Sequence, residues 1–151
     1  MHVFVGYGGA RAEEVANRLE AFLKTESQIT TFLATPRSHS LLSTDEWKTK
    51  IDENLLDCNI AIFVCHQNTS RSTEVKREID FLFQNKMQHK IITFTNTDTS
   101  IPIRVRERWH PLHFPTEKPE ESFCRLLNEV FRCFIALEES ARIVSENERM
   151  V

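Results

Sequence analysis

The sequence predicts an α/β domain in three layers, αβα, built on a parallel five-stranded sheet of order 2-1-3-4-5. Short apolar runs alternate with amphipathic stretches, the pattern of strand–helix units wound around a parallel sheet. One run, Ile60-Ala61-Ile62-Phe63-Val64, is continuously apolar, as a central strand covered on both faces must be. The 151 residues fit one domain with a single sheet and leave no room for two separate cores.

In chain order, Val3 to Val5 reads as the first strand, and a helix from about Ala12 to Lys24 follows with Val15, Leu19, Phe22 and Leu23 on one face. Ile29 to Ala34 makes the second strand. A Pro/Ser/His loop, Thr35 to Ser43, leads to a helix capped by Ser43 or Thr44, with Asp45 and Glu46 in its first turn. Trp47, Ile51 and Leu55 recur at four-residue spacing on its buried face. Asn59 to Cys65 is the third strand, and the polar loop His66 to Ser72 opens the helix Thr73 to Lys86, whose inner stripe is Val75, Ile79, Leu82 and Phe83. Lys90 to Phe94 is the fourth strand, and a weaker fifth lies in Trp109 to Phe114. The last helix, from about Lys118, carries Phe123, Leu126, Leu127, Val130, Phe131, Phe134 and Leu137, an apolar face broad enough for the sheet and a partner. This winding is that of the flavodoxin-like folds. The whole chain is one domain in this reading, with a core over about residues 2–140 and a polar tail after Ala141 that is expected to fray.

Composition narrows the function classes. A hydrophobic fraction of 40% and a charged fraction of 27% describe a folded domain. No apolar run reaches the ~18 residues of a membrane span, and the N-terminus lacks the regions of a signal peptide, so a cytoplasmic location is expected. Cys58, Cys65, Cys124 and Cys133 lie in apolar contexts with no Cys-x-x-Cys pair and read as reduced core residues. The net charge of −3 offers no footprint for nucleic acid, although Arg104, Arg106 and Arg108 cluster locally. His110-x-x-His113 has metal-like spacing without an accompanying thiol or carboxylate, and reads as strand packing. No metal or bound cofactor is expected.

Glycine occurs three times, where average usage of about 7% would give roughly ten. All three fall in Gly6-Tyr7-Gly8-Gly9, at the end of the first strand. In an open sheet of this order the ligand crevice lies beyond the carboxyl ends of strands 1 and 3, where the winding reverses. There Gly6-Tyr7-Gly8-Gly9-Ala10-Arg11 meets His66-Gln67-Asn68-Thr69-Ser70-Arg71-Ser72, and backbone N–H groups, hydroxyls and two arginines suit phosphate oxygens. A glycine turn beside an ordinary helix cap accounts for the same residues without a ligand. Glu78 flanks the buried stripe of its helix on the side of Arg71, whereas Lys76, Arg77 and Asp80 are expected to face outward. A carboxylate beside a cleft is either a reacting group or a salt-bridging one.

At these residues the chain resembles a TIR (Toll/interleukin-1 receptor) domain. His2-Val3-Phe4-Val5-Gly6-Tyr7 is similar to the family's first box, an aromatic–aliphatic strand ending in Ser-Tyr, with Gly6 in place of the serine. Ser72-Thr73-Glu74-Val75-Lys76-Arg77-Glu78-Ile79 is similar to the Ser-x-Trp-Cys-x-x-Glu-Leu motif, with Glu74 and Val75 where the family has Trp and Cys. Thr35-Pro36-Arg37-Ser38-His39 replaces the family's Arg-Asp-x-x-Pro-Gly loop. These departures look like the divergent microbial branch that includes the small TIR proteins of Thoeris-type antiphage systems.

The resemblance implies an NAD-consuming enzyme that cleaves the nicotinamide–ribose bond with Glu78 and takes NAD as substrate. It implies substrate contacts from Gly6, Tyr7, Gly8, Gly9, Arg11, Ser38, Trp47, Ser70, Arg71 and Ser72, with Tyr7, Phe32 or Trp47 available to stack on a ring. It also implies TIR–TIR self-association that completes the site, and a cyclic ADP-ribose-type product acting on a separate effector. Two alternatives stand beside it: a non-enzymatic interaction module, and a nucleoside deoxyribosyltransferase-like enzyme, which also sets a carboxylate at an N-glycosidic bond.

Overall fold

The apolar runs assemble into a single parallel sheet, ordered β2-β1-β3-β4-β5. Its strands are β1 (His2–Tyr7), β2 (Thr30–Leu33), β3 (Ile60–Cys65), β4 (Ile91–Thr95) and β5 (Leu112–His113). The helices are α1 (Ala10–Leu23), α2 (Thr44–Asp57), α3 (Thr73–Gln84), α4 (Ile103–Arg106) and α5 (Phe123–Arg149). The structure, a computed structural model, describes residues 1–35, 41–106 and 111–150. Ser38 and His39 in the loop after β2, and Arg108, Trp109 and His110 before β5, lie outside the described residues.

Alternation along the strands divides the core in two. Val3, Val5 and Tyr7 of β1 point with Ile60, Ile62 and Val64 of β3 toward α1 and α5. Phe4, Ala61, Phe63 and Cys65 point toward α2 and α3, where Trp47, Ile51, Val75 and Ile79 meet them. Pairing is in parallel register throughout, with Gly6 opposite Phe63 and Tyr7 opposite Val64. The reversal of winding therefore falls between β1 and β3, and the loops that leave their carboxyl ends are neighbours.

The local devices are mostly those written in the sequence. Ser43 caps α2 by accepting from the Glu46 N–H, and Ser72 caps α3 by accepting from the Val75 N–H at 3.2 Å. Helix α1 starts at Ala10, two residues earlier than its apolar spacing marks, because Gly9 turns the chain at φ 95°. Among the described residues two further left-handed positions use no glycine: Asn68 has φ 72° and Lys86, which closes α3, has φ 57°.

Helix α5 runs past Ala141 to Arg149; no glycine or proline interrupts it, and Arg142 pairs with Glu146 one turn on at 2.9 Å. Two expectations need correction. Cys58 and Cys65 are buried, but Cys124 is exposed and Cys133 half-buried, since both fall off the inner stripe of α5. His113 is exposed and bonds Asp98 at 2.7 Å, so it is not a packing residue.

Candidate functional site

The loops after β1 and β3 meet through Thr69, which is fully buried. Its hydroxyl donates to the Gly8 carbonyl at 2.6 Å and accepts from the His66 N–H at 2.9 Å. This contact holds the entry to α3 against the end of β1. Each glycine there has an internal reason. A Cβ on Gly6 would fall 2.8 Å from the Phe63 ring, and one on Gly8 would fall 2.4 Å from Ser72 Cβ. Gly9 takes the left-handed φ, with the Gln67 carbonyl 3.0 Å from its missing Cβ. Gly6 and Gly8 are buried, and of the three only Gly9 is exposed.

The other predicted contacts separate into groups. Tyr7 is buried on the α1 and α5 side, the face of the sheet opposite α3, so its ring is core. Trp47 is also core: its ring packs with Phe4 and Ile51 and its indole N–H donates to the Thr35 carbonyl at 3.1 Å. Phe32 is half-buried and stacks on Phe4. Ser72 spends its hydroxyl on the α3 cap. Arg11, Ser70 and Arg71 come together on a cavity of about 440 Å³ beyond the carboxyl ends of β3 and β4, which His66, Asn68 and Thr97 also line. Glu78 does not line it.

Glu78 lies deeper than the rim of the core. The residue is 4% exposed, and its Oε2 is buried with no hydrogen-bond partner among the described residues. Burial pushes its carboxyl well above the usual carboxylate range; the charges of Glu74 and Asp52 press the same way, and the Arg77 guanidinium opposes them. Arg77 does not face outward as its spacing suggests. It is half-buried and donates to Asp52 of α2 at 2.8 Å, while its Nη1 is buried without a partner among the described residues. Asp80 is likewise engaged, pairing with Arg104, which also stands over the Phe83 ring. Asp52 and Arg77 both act on Glu78, a relation that helical spacing does not reveal. Their only signal was an oppositely charged pair on two separate helices, which becomes a contact only when α2 and α3 pack.

A family model described as the TIR domain matches residues 3–127. The chain belongs to the TIR domain family. The structure of this TIR domain is similar to a prokaryotic SEFIR domain, with a TM-score of 0.61, 18% identity, and coverage of 88% of this chain and 91% of that one. It is also similar to the TIR domains of the activated Roq1 resistosome that directly recognises the pathogen effector XopQ, with a TM-score of 0.52, 17% identity, and coverage of 94% and 84%. At these identities the likeness establishes the fold. No curated protein matches the sequence. Among the described residues no helix is long and apolar enough to cross a membrane.

Chemically, Glu78 is a desolvated carboxyl on the helix whose start packs against the end of β1. A carboxylate in such a position answers an adjacent positive charge far more strongly than one in water.

Proposed function

We propose that this TIR domain is an NAD-consuming enzyme and that Glu78 is its catalytic residue. The observation that carries the reading is the Glu78 carboxyl itself, buried and with Oε2 unpartnered among the described residues. A buried carboxyl without a partner destabilises the fold, and such groups cluster where a ligand supplies the missing partner.

NAD brings that partner as charge. Its pyridinium ring is cationic, and as the bond from the ring nitrogen to ribose C1′ breaks, the electron pair leaves with a neutral nicotinamide and the positive charge moves to the ribose. Glu78, which gives up its proton to solvent as the opened site takes in that charge, stabilises the oxocarbenium-like transition state in a low-dielectric setting. No general acid is needed, because the leaving group departs neutral. Water adding to C1′ and losing a proton gives ADP-ribose; a nucleophile of the same nucleotide gives a cyclic product. The finer reading is the second, a cyclic ADP-ribose-type signal that reaches a separate effector in antiphage immunity.

In the single chain Glu78 is closed off, so the reading includes an opening step that self-association supplies. Exposed apolar side chains on α5, Ile135, Ile143 and Val144, favour association, and the activated Roq1 resistosome is an assembly that includes TIR domains. The test is release of nicotinamide from NAD by the purified protein across a range of protein concentrations. Release that rises faster than linearly with protein and disappears in Glu78→Ala is expected. Intact NAD at every concentration, or an equally active Glu78→Ala, would overturn the reading.

A further inference from the structure

The cavity at the carboxyl ends of β3 and β4 has its own chemistry. Its volume of about 440 Å³ is that of a small-molecule site. Arg11 reaches it from the start of α1 and Arg71 from the turn before α3, and neither guanidinium has a carboxylate partner among the described residues. Among the described residues no acidic side chain lines it.

A third donor is built in. His66 lines the cavity and is 5% exposed. Its Nδ1 accepts from the Gln67 N–H at 2.7 Å, so in the neutral ring the proton sits on Nε2. Nε2 has no protein partner among the described residues. Burial holds His66 below its ordinary value, Arg11 pushes the same way, and Glu14 opposes them; the ring is thus a neutral, fixed donor. The wall opposite is a hydroxyl turn, where Thr97 Oγ1 lies 3.1 Å from Ser100 Oγ and Arg106 clamps the carbonyls of Thr99 and Ile101. Asn68, left-handed at φ 72°, shapes the near side. Two guanidiniums, one N–H donor on a buried ring and a set of hydroxyls, with no acid among the described lining residues, match tetrahedral oxyanions.

We propose that this cavity is a phosphate site, separate from Glu78, that takes the diphosphate of a soluble nucleotide. Arg11 and Arg71 clamp the oxygens from opposite sides, and His66 Nε2–H donates from the floor. Because the cavity is open while Glu78 is buried, it fills in the single chain and does not wait for assembly.

Isothermal titration of the full chain with inorganic pyrophosphate, and separately with ADP, tests this. Both are expected to bind one per chain, with affinity falling as salt rises. Arg11→Gln and Arg71→Gln, at exposed positions, should each weaken pyrophosphate about ten- to a hundredfold, the scale of a lost charge-assisted hydrogen bond, and Arg71→Lys should recover part of the loss. Glu78→Gln should bind pyrophosphate as wild type does. No saturable binding, binding indifferent to both arginines, ADP bound without pyrophosphate, or binding abolished by Glu78→Gln would each overturn the proposal. Nicotinamide release measured on the same proteins fails or succeeds independently, so the two readings are told apart.

Discussion

Gly8 and Ser72 occupy a space that admits only one Cβ. The atom that Gly8 lacks would lie 2.4 Å from Ser72 Cβ and 2.6 Å from its Oγ, and the Gly8 carbonyl is already held by Thr69. Since α3 carries Glu78, this contact sets how close the helix comes to the end of β1. Gly8→Ala is expected to destabilise the fold by about 1–3 kcal/mol. Thermal unfolding checks it at about 2–4 °C per kcal/mol for a domain of this size. Ser72→Gly in the Gly8→Ala background should cost less than the two single losses added together, although it removes the α3 cap.

Gly6 stands in the same relation to Phe63, whose ring lies 2.8 Å from the absent Cβ. The serine that the family's first box carries does not fit here while Phe63 is in place. Gly6→Ser should therefore lower stability by about 1–3 kcal/mol. Trimming the ring with Phe63→Leu in that background should recover part of it, giving a coupling of about 0.5–3 kcal/mol in a double-mutant cycle. Additive effects would show that the ring does not set the identity of residue 6.

Glu78 binds its proton more tightly in the folded chain than in the unfolded one. Its protonated form therefore supports the fold fully below the unfolded value of about 4.3, and that support is lost as pH rises through the folded value. At neutral pH the buried carboxyl is a net cost. Glu78→Gln, which keeps the shape and removes the charge, is expected to raise the unfolding midpoint at pH 8, with a gain that shrinks toward pH 4. A variant less stable than wild type at both ends would mean that the carboxyl has a stabilising partner after all.

Asp52 and Arg77 pull Glu78 in opposite directions. If the ionised carboxylate is the working form, nicotinamide release rises with pH along an acid limb. Asp52→Asn removes a negative neighbour and should move that limb to lower pH. Arg77→Gln removes a positive one and should move it higher. Each shift is expected at about 0.5–1 pH unit, as for a partly solvated charge. Movement in one direction for both variants would mean that the broken pair acts through helix placement and not through charge.

The strand order, the two serine caps and the meeting of the loops after β1 and β3 were legible because each rests on local pattern: apolar runs, a hydroxyl before an acidic turn, a fixed winding. The glycines were legible as special, but not what makes them so. Gly6 answers to Phe63 and Gly8 to Ser72, partners about sixty residues away that only packing brings near. The depth of Glu78 was hidden for the same reason. Helical spacing puts it on the flank of the stripe; its burial, and the Asp52 of α2 that draws in Arg77, follow only from packing. The cavity lined by Arg11 and Arg71 was half visible, its arginines placed and its hydroxyl wall from the loop after β4 unseen, because Thr and Asn in a long loop carry no periodic signal. The polar end of α5 carries no apolar period, and its helix is continued by i,i+4 pairing and by the absence of a breaker, neither of which apolar spacing reports.

That unbroken end of α5 is also where association is best tested. Ile143 and Val144 are 47% and 56% exposed on the polar second half of the helix, past the last residues it buries against the sheet. Both side chains are about half exposed, so replacing them with Glu should change the unfolding free energy by no more than about 1 kcal/mol per site. If these side chains meet another copy of the chain, light scattering should show the mean mass falling toward 17.7 kDa at concentrations where wild type is larger. Nicotinamide release per chain should fall in the same samples, because an opening step that depends on assembly fails when the copies separate. A wild type that is monomeric throughout, or a charged variant that assembles and reacts as wild type does, would move the association surface away from α5.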